Sequence, residues 1–172
     1  MKKLCCLLCL LFTWNLEAES IIALLKSVEN NNVLHMHYKK TPFICTPYGV
    51  ETVDELMLRM DSNSSCIRYL QDFRRAHPKE KFFAVSSLHV QQQYSVEGMN
   101  GECLLYLSSE HTYSEALLEK GYARRPVGQS YEDVILKHRF KDAVKRAQNT
   151  KAGIWSDINI RNCFLMMTEK KR

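Results

Sequence analysis

The apolar residues of this chain keep two rhythms, and the change between them restricts the fold. Up to about Ser108 the apolar runs are short and mostly alternate, the period of strands. "SIIALLKSV" (20–28) and "NVLHMHY" (32–38) flank the polar turn "ENNN", which reads as a hairpin. In the second run Leu34, Met36 and Tyr38 alternate with Val33, His35 and His37. "PFICTP" (42–47) reads as a third strand stopped by Pro47, and "KFFAVSSLHV" (81–90) and "CLLYLS" (103–108) as two more. Between the third and fourth, Val53 to Ala76 has helical spacing, with Cys66, Tyr69, Leu70 and Phe73 on one stripe.

From Thr112 the rhythm is helical and well punctuated. Thr112 and Glu115 make a T-x-x-E capping box, and Gly121 closes the helix that follows. A last helix is expected from about Tyr131 to Gln148, with Leu136, Phe140, Ala143, Val144 and Ala147 on one face. Gly153 supplies its stop, followed at once by Ile154 and Trp155. About five strands, an inserted helical segment and two closing helices fit a mainly β chain with helices, a five-stranded barrel of OB type.

The first residues carry a different signal. Lys2 and Lys3 precede an apolar run of eleven, Leu4 to Trp14, and Ala18 offers a small residue for cleavage. This reads as a secretory signal over 1–18, with a retained N-terminal anchor as the alternative. The run is shorter than the roughly 20 residues that span a bilayer. No Gly or Ala precedes Cys5, Cys6 or Cys9, as a lipoprotein signal requires. Cleavage places the mature chain outside the cytoplasm, periplasmic or secreted. It also leaves 22 of the 24 Lys+Arg and 18 of the 19 Asp+Glu, net +4. The excess is late: residues 112–152 hold 9 basic and 5 acidic side chains. That favours an anionic partner there.

Four cysteines follow the signal: Cys45, Cys66, Cys103 and Cys163. An exported chain with an even number permits disulfides, in three possible connectivities, and buried free thiols are the other reading. Spacings of 21, 37 and 60 residues match no zinc ribbon or finger.

"YSEALLEKGYARR" (113–125), a helix, and then "KRAQNTKAGIWS" (145–156) resemble the C-terminal half of the staphylococcal nuclease (thermonuclease) family. That half reads N-x-x-L-V-x-x-G-x-A, then a basic helix ending in G-[IL]-W. The resemblance is strong after residue 104 and weaker over 20–104. It implies an OB barrel with three helices over residues 19–157, a C-terminal extension at 158–172, and Trp155 as a packing residue. It also implies calcium-dependent cleavage of DNA and RNA if the site is intact. Such chemistry needs aspartates on the hard cation, a glutamate assisting water, and two arginines neutralising the phosphate.

Those residues are replaced. In the first family motif, D-G-D-T, Asn31 stands at a ligating aspartate. In "FICTPYGVE" Cys45 replaces the second aspartate and Tyr48 the glutamate, preceded by Lys39 and Lys40 but no arginine. In "MNGECLLYL" Glu102 replaces an arginine. Losing a general base costs about 10²–10⁴ in rate, and one charge-stabilising donor about 10²–10³. A shifted register brings in Glu29 and Glu51 as fallback carboxylates, but no arginine. The expectation is a catalytically degenerate member acting as a binding module for protein or nucleic acid, without a confident cofactor. The alternative is a divergent metal-dependent nuclease, with Ca²⁺.

Further groupings stand beside this. Lys137, Lys141 and Lys145 line up at four-residue steps and, with Arg124 and Arg125, offer a phosphate-binding face; an ordinary solvated helix face is the plainer reading. His35 and His37 share a strand face, with His89 on a later expected strand, a weak metal candidate against packed or solvated histidines. Cys45 as a nucleophile lacks an oxyanion hole and an orienting acid. Phe82, Phe83 and Tyr94 offer base-stacking rings, though core packing is the commoner use. "CFLMM" in the tail either packs on the body, tying Cys163 to another cysteine, or docks elsewhere.

Overall fold

The computed structural model describes residues 20–60, 64–99, 101–126, 128, 131 and 133–169. The signal reading over 1–18 lies outside them. Five strands, β1 (Ile21–Val28), β2 (Leu34–Tyr38), β3 (Thr41–Cys45), β5 (Gln93–Met99) and β6 (Glu102–Tyr106), form one antiparallel sheet in the order β3-β2-β1-β5-β6. A two-residue pair, β4 (Glu51–Thr52) with β7 (Ala123–Arg124), stands beside it.

Local chemistry sets the turns. The Asn30 side chain accepts from the N–H groups of Asn32 and Val33 at 2.8 and 3.0 Å, an Asx turn that joins β1 to β2. Alternation then decides the faces. Ala23 and Leu25 on β1, Leu34 and Met36 on β2, and Tyr94 and Val96 on β5 all turn inward and are buried. A register shift between Leu25 and Ser27 bends β1.

The sheet curls until its two edge strands meet at one place. There the Cys103 N–H donates to the Thr46 carbonyl at 2.8 Å, and the Tyr48 N–H to the Cys103 carbonyl at 2.9 Å. A disulfide, Cys45–Cys103, joins the strands at the same point. The expected closed barrel is not found among the described residues: no β3–β6 ladder forms beyond the bridge of Pro47 with Cys103. Pro47 has no N–H to continue a ladder, and the far end of β6 bridges Thr112 instead.

The expected strand at 81–90 is also corrected. That stretch belongs to two short helices, α3 (Pro78–Lys81) and α4 (Phe83–Ser87), and the fourth strand of the sheet lies later, at β5. Pro78 starts the helical turn with its preset φ. The buried residues Glu80, Ala84 and Leu88 recur every four positions, the helical spacing.

Two further helices, α1 (Val53–Arg59) and α2 (Ser65–Ala76), precede this pair; Thr52 and Ser64 cap them. α5 (Tyr113–Glu119) carries the expected capping box. α6 (Val134–Asn149) is capped by Asp133, which accepts from Ile135 and Leu136. A 3₁₀ turn (Gly153–Ser156) leads into α7 (Ile158–Glu169). Of the two readings of the tail, the structure has it packed: Ile160, Cys163 and Phe164 are buried, and a second disulfide ties Cys163 to Cys66 on α2. The sheet encloses one core, and α1, α2 and α7 close around a second, of Val53, Leu56, Leu70, Phe73, Ile154, Ile160 and Phe164. Trp155 packs against this second core, edge-on to Phe164 with centroids 5.8 Å apart.

Candidate functional site

The four positions that the resemblance marks as catalytic each carry a structural bond. Asn31 is fully buried. Its Nδ2 donates to the Glu80 carbonyl at 2.7 Å and to Glu80 Oε1 at 3.1 Å, while its Oδ1 accepts from the Ala84 N–H at 2.9 Å. One amide side chain thus pins both α3 and α4 to the β1–β2 turn. The Tyr113 hydroxyl adds a bond to the Asn31 carbonyl at 3.2 Å.

Cys45 is in the Cys45–Cys103 disulfide, so it has neither a thiolate nor a metal-binding sulfur to offer. Tyr48 is buried, with its ring edge-on to Tyr131 at 5.9 Å. Glu102 Oε2 accepts from the Gly49 N–H at 3.0 Å, and the Tyr131 hydroxyl donates to the Gly49 carbonyl at 2.8 Å. The turn after β3 is therefore held from both sides. Gly49 is required there: its φ is +71°, and a Cβ would lie 2.8 Å from both Tyr131 and Phe140. An open groove of ≈ 340 Å³ beside Glu102 is lined by Tyr38, Phe43, Ile44 and Val96 among others; among the described residues Glu102 is its only charged lining residue. Among the described residues lining it there is no cation for a phosphate.

The fallback carboxylates are placed apart. Glu29 is exposed, 3.4 Å from His35 Nε2. Glu51 is buried between two guanidinium groups. Arg124 reaches its Oε2 with Nε at 2.8 Å and Nη2 at 2.7 Å, and Arg59 reaches its Oε1 at 2.6 Å. Arg59 also pairs with Glu55 at 2.5 Å, one turn away on α1. Burial pushes the Glu55 carboxyl up despite that arginine. Arg124, grouped with the lysines on sequence, is buried and belongs to this cluster, with its guanidinium over the Phe164 ring at 4.8 Å. Its carboxylate partner lies 73 residues earlier in the chain, a pairing that no local pattern discloses. Arg125 is half-buried over the Tyr131 ring, at 4.9 Å.

A second charged chain was equally hidden. Glu80 is fully buried, paired with Arg74 Nε at 3.2 Å, and Arg74 Nη2 meets Asp54 at 2.7 Å. Burial raises the Glu80 carboxyl above its ordinary value, against the pull of Arg74.

Lys137, Lys141 and Lys145 lie where the helical period puts them, all exposed on α6. None makes an ion pair among the described residues. His35 and His37 share the outer face of β2, but His89 follows α4 in a turn rather than a strand. No group of three His, Cys, Asp or Glu side chains able to hold a metal occurs among the described residues. Phe82 is exposed, while Phe83 packs on Tyr113 and Tyr122 and Tyr94 is in the core. The three rings do not share a face for stacking bases. No helix among the described residues is long and apolar enough to cross a membrane.

No protein-family model matches the chain, and no curated protein sequence matches it either.

Proposed function

We propose that the chain is an exported domain of staphylococcal-nuclease type that no longer cleaves and works as a binding module, its α6 lysine face meeting a polyanion such as single-stranded nucleic acid. The observation that carries the loss of catalysis is the use made of Asn31. At the place of a metal-ligating aspartate it holds α3 and α4 through three hydrogen bonds. The disulfide at Cys45 and the bond from Gly49 to Glu102 point the same way. The divergent-nuclease alternative needs a free carboxylate beside free arginines, and Glu51 is already engaged by Arg59 and Arg124.

Support for the family comes from the antiparallel sheet followed by α5, α6 and the Gly-Ile-Trp turn. Two disulfides suit an oxidising compartment outside the cytoplasm. Three lysines in a row, without an ion pair among the described residues, support the polyanion, since phosphate contacts supply most non-specific affinity.

The test is a mobility-shift assay with labelled single-stranded DNA and RNA over a salt series. Retardation that fades with salt, and fades further for Lys137→Glu/Lys141→Glu/Lys145→Glu, is expected. Retardation unchanged by the triple variant would remove the lysine face, and no retardation would turn the module toward a protein partner.

A further inference from the structure

The stretch from Pro78 to Gln93 presents a surface of unusual composition. Phe82, Val85 and Val90 are 55%, 57% and 48% exposed, three large apolar side chains within nine residues. Lys79 and Lys81 are exposed beside them, and Lys81 Nζ sits 5.7 Å from the Phe82 ring centre. Lys26 on β1 reaches the Gln91 side chain at 3.4 Å, adding a third cation at the border.

No acidic side chain is exposed between Pro78 and Gln93. Glu80, the only acid of the stretch, is fully buried and bonded to Arg74 and Asn31. Asp54 is paired with Arg74 as well, and Glu29 faces His35. The exposed side chains of the stretch are therefore the two lysines, the apolar Pro78, Phe82, Val85 and Val90, and the polar Ser86, His89, Gln91, Gln92 and Gln93, with no carboxylate among them.

The segment is also rigidly held. Asn31 fixes the Glu80 carbonyl and the Ala84 N–H, Leu88 and Ala84 are buried, and the His89 N–H donates to the Tyr94 hydroxyl at 2.7 Å. Gln91, at φ +69°, ties back to Leu25 on β1 in both directions through the Gln91 and Gln92 backbone. Phe82 and Val85 are thus held outward on a fixed support.

We propose that this α3–α4 face is a docking surface for an anionic lipid bilayer. Phe82, Val85 and Val90 enter the boundary between headgroups and acyl chains, while Lys79, Lys81 and Lys26 meet the lipid phosphates. Charge complementarity selects the anionic surface, and exposed apolar side chains ringed by lysine are the pattern of interfacial binding. Nucleic acid is the poorer match, because Val85 and Val90 have no π face on which a base can stack. The inference is independent of the α6 lysine face and holds whether or not that face binds a polyanion.

The experiment is flotation with vesicles of phosphatidylcholine alone and with phosphatidylserine added. Every variant is prepared in the same form as the parent, so any effect of the N-terminal apolar run is common to all. The expected result is binding to the phosphatidylserine vesicles that exceeds binding to phosphatidylcholine at least tenfold. Phe82→Ser/Val85→Ser and Lys79→Glu/Lys81→Glu each weaken it about tenfold or more, since one lysine near such a surface is worth roughly fivefold. Both pairs are exposed, so unchanged thermal midpoints separate lost binding from lost folding. Lys137→Glu/Lys141→Glu/Lys145→Glu lowers the vesicle binding less than Lys79→Glu/Lys81→Glu does, and a larger loss from the α6 variant overturns the proposal. No preference for phosphatidylserine overturns the proposal, as does binding that survives both α3–α4 variants. A self-association that Phe82→Ser/Val85→Ser abolishes overturns it too, because a second copy then covers the face.

Discussion

The Asn31 side chain bonds to the carbonyl and the carboxylate of Glu80, 49 residues away, and accepts from the Ala84 N–H, and in doing so docks two short helices onto the sheet. Glu80 in turn holds Arg74 on α2. A single buried amide therefore connects the first turn of the sheet with the helical layer. An aspartate here gives up the Nδ2 donor and places a second carboxylate against Glu80.

Asn31→Asp is accordingly expected to destabilise the protein without creating activity. Lost donors and an added buried charge cost about 2–4 kcal/mol together. At roughly 2–4 °C per kcal/mol for a domain of this size, the thermal midpoint falls by about 4–16 °C. Differential scanning calorimetry checks this; an unchanged midpoint would show that the Asn31–Glu80 bond carries no weight.

The two disulfides close loops of 58 and 97 residues. Removing either is expected to cost about 2–5 kcal/mol. The structural effects differ. Cys66→Ser/Cys163→Ser frees α7 from α2, so limited proteolysis should cut near α7 first. Cys45→Ser/Cys103→Ser releases the meeting of β3 with β6. Peptide mapping without reductant checks the pairing itself, and Cys45–Cys66 or Cys45–Cys163 links would contradict it.

Gly121 and Gly153 face each other across the turns that end α5 and α6. The Ile154 N–H donates to the Gly121 carbonyl at 2.9 Å. A Cβ on Gly121 would lie 2.1 Å from the Ala152 carbonyl oxygen, and one on Gly153 would lie 2.2 Å from that of Gly121. Both have positive φ, +65° and +51°. The clash is with backbone, which cannot swing aside as a side chain can. Gly121→Ala and Gly153→Ala are each expected to cost more than about 3 kcal/mol and to reduce soluble yield sharply. Thermal melts of whatever folds provide the check.

Glu115 gives the protein an acid-sensitive element. Burial works to raise its pKa, but bonds from Arg139 and from the Thr112 N–H and hydroxyl outweigh it and hold the carboxyl below its ordinary value. A depressed folded-state pKa stabilises fully above the unfolded value, near 4.5, and that contribution is lost as pH falls through the folded value. Glu55 and Glu80 are raised by burial, so their contribution has the opposite sign and declines as pH climbs from 4.5 through their folded values. Glu115→Gln should therefore lower stability at neutral pH and flatten the loss below about pH 4.5. Glu80→Gln should narrow the decline above it. Thermal midpoints measured from about pH 3 to 7 separate the two.

The strands β1, β2, β3 and β6 and the helices α5 and α6 were legible because each carries its own period and its own stop. Thr112, Gly121 and Gly153 mark ends by local chemistry alone. The fourth strand was misplaced because Phe82, Phe83 and Val85 imitate an alternating run, and the helical set includes Glu80, which looks like a surface residue until Arg74 is placed beside it. The strand β5, with Tyr94 and Val96 inward, was hidden among glutamines and Gly98. The candidate site was legible only as a set of replaced residues. What the residues at those positions do depends on contacts from distant segments: Glu80 for Asn31, Cys103 for Cys45, Tyr131 for Tyr48 and Gly49 for Glu102.

The most direct test of lost catalysis is incubation of the purified protein with labelled single-stranded DNA and RNA, with calcium, with other divalent cations and with chelator. Intact substrate is expected under every condition. Metal-dependent cleavage that chelator abolishes would contradict it, and would make Glu29 and Glu51 the first residues to replace.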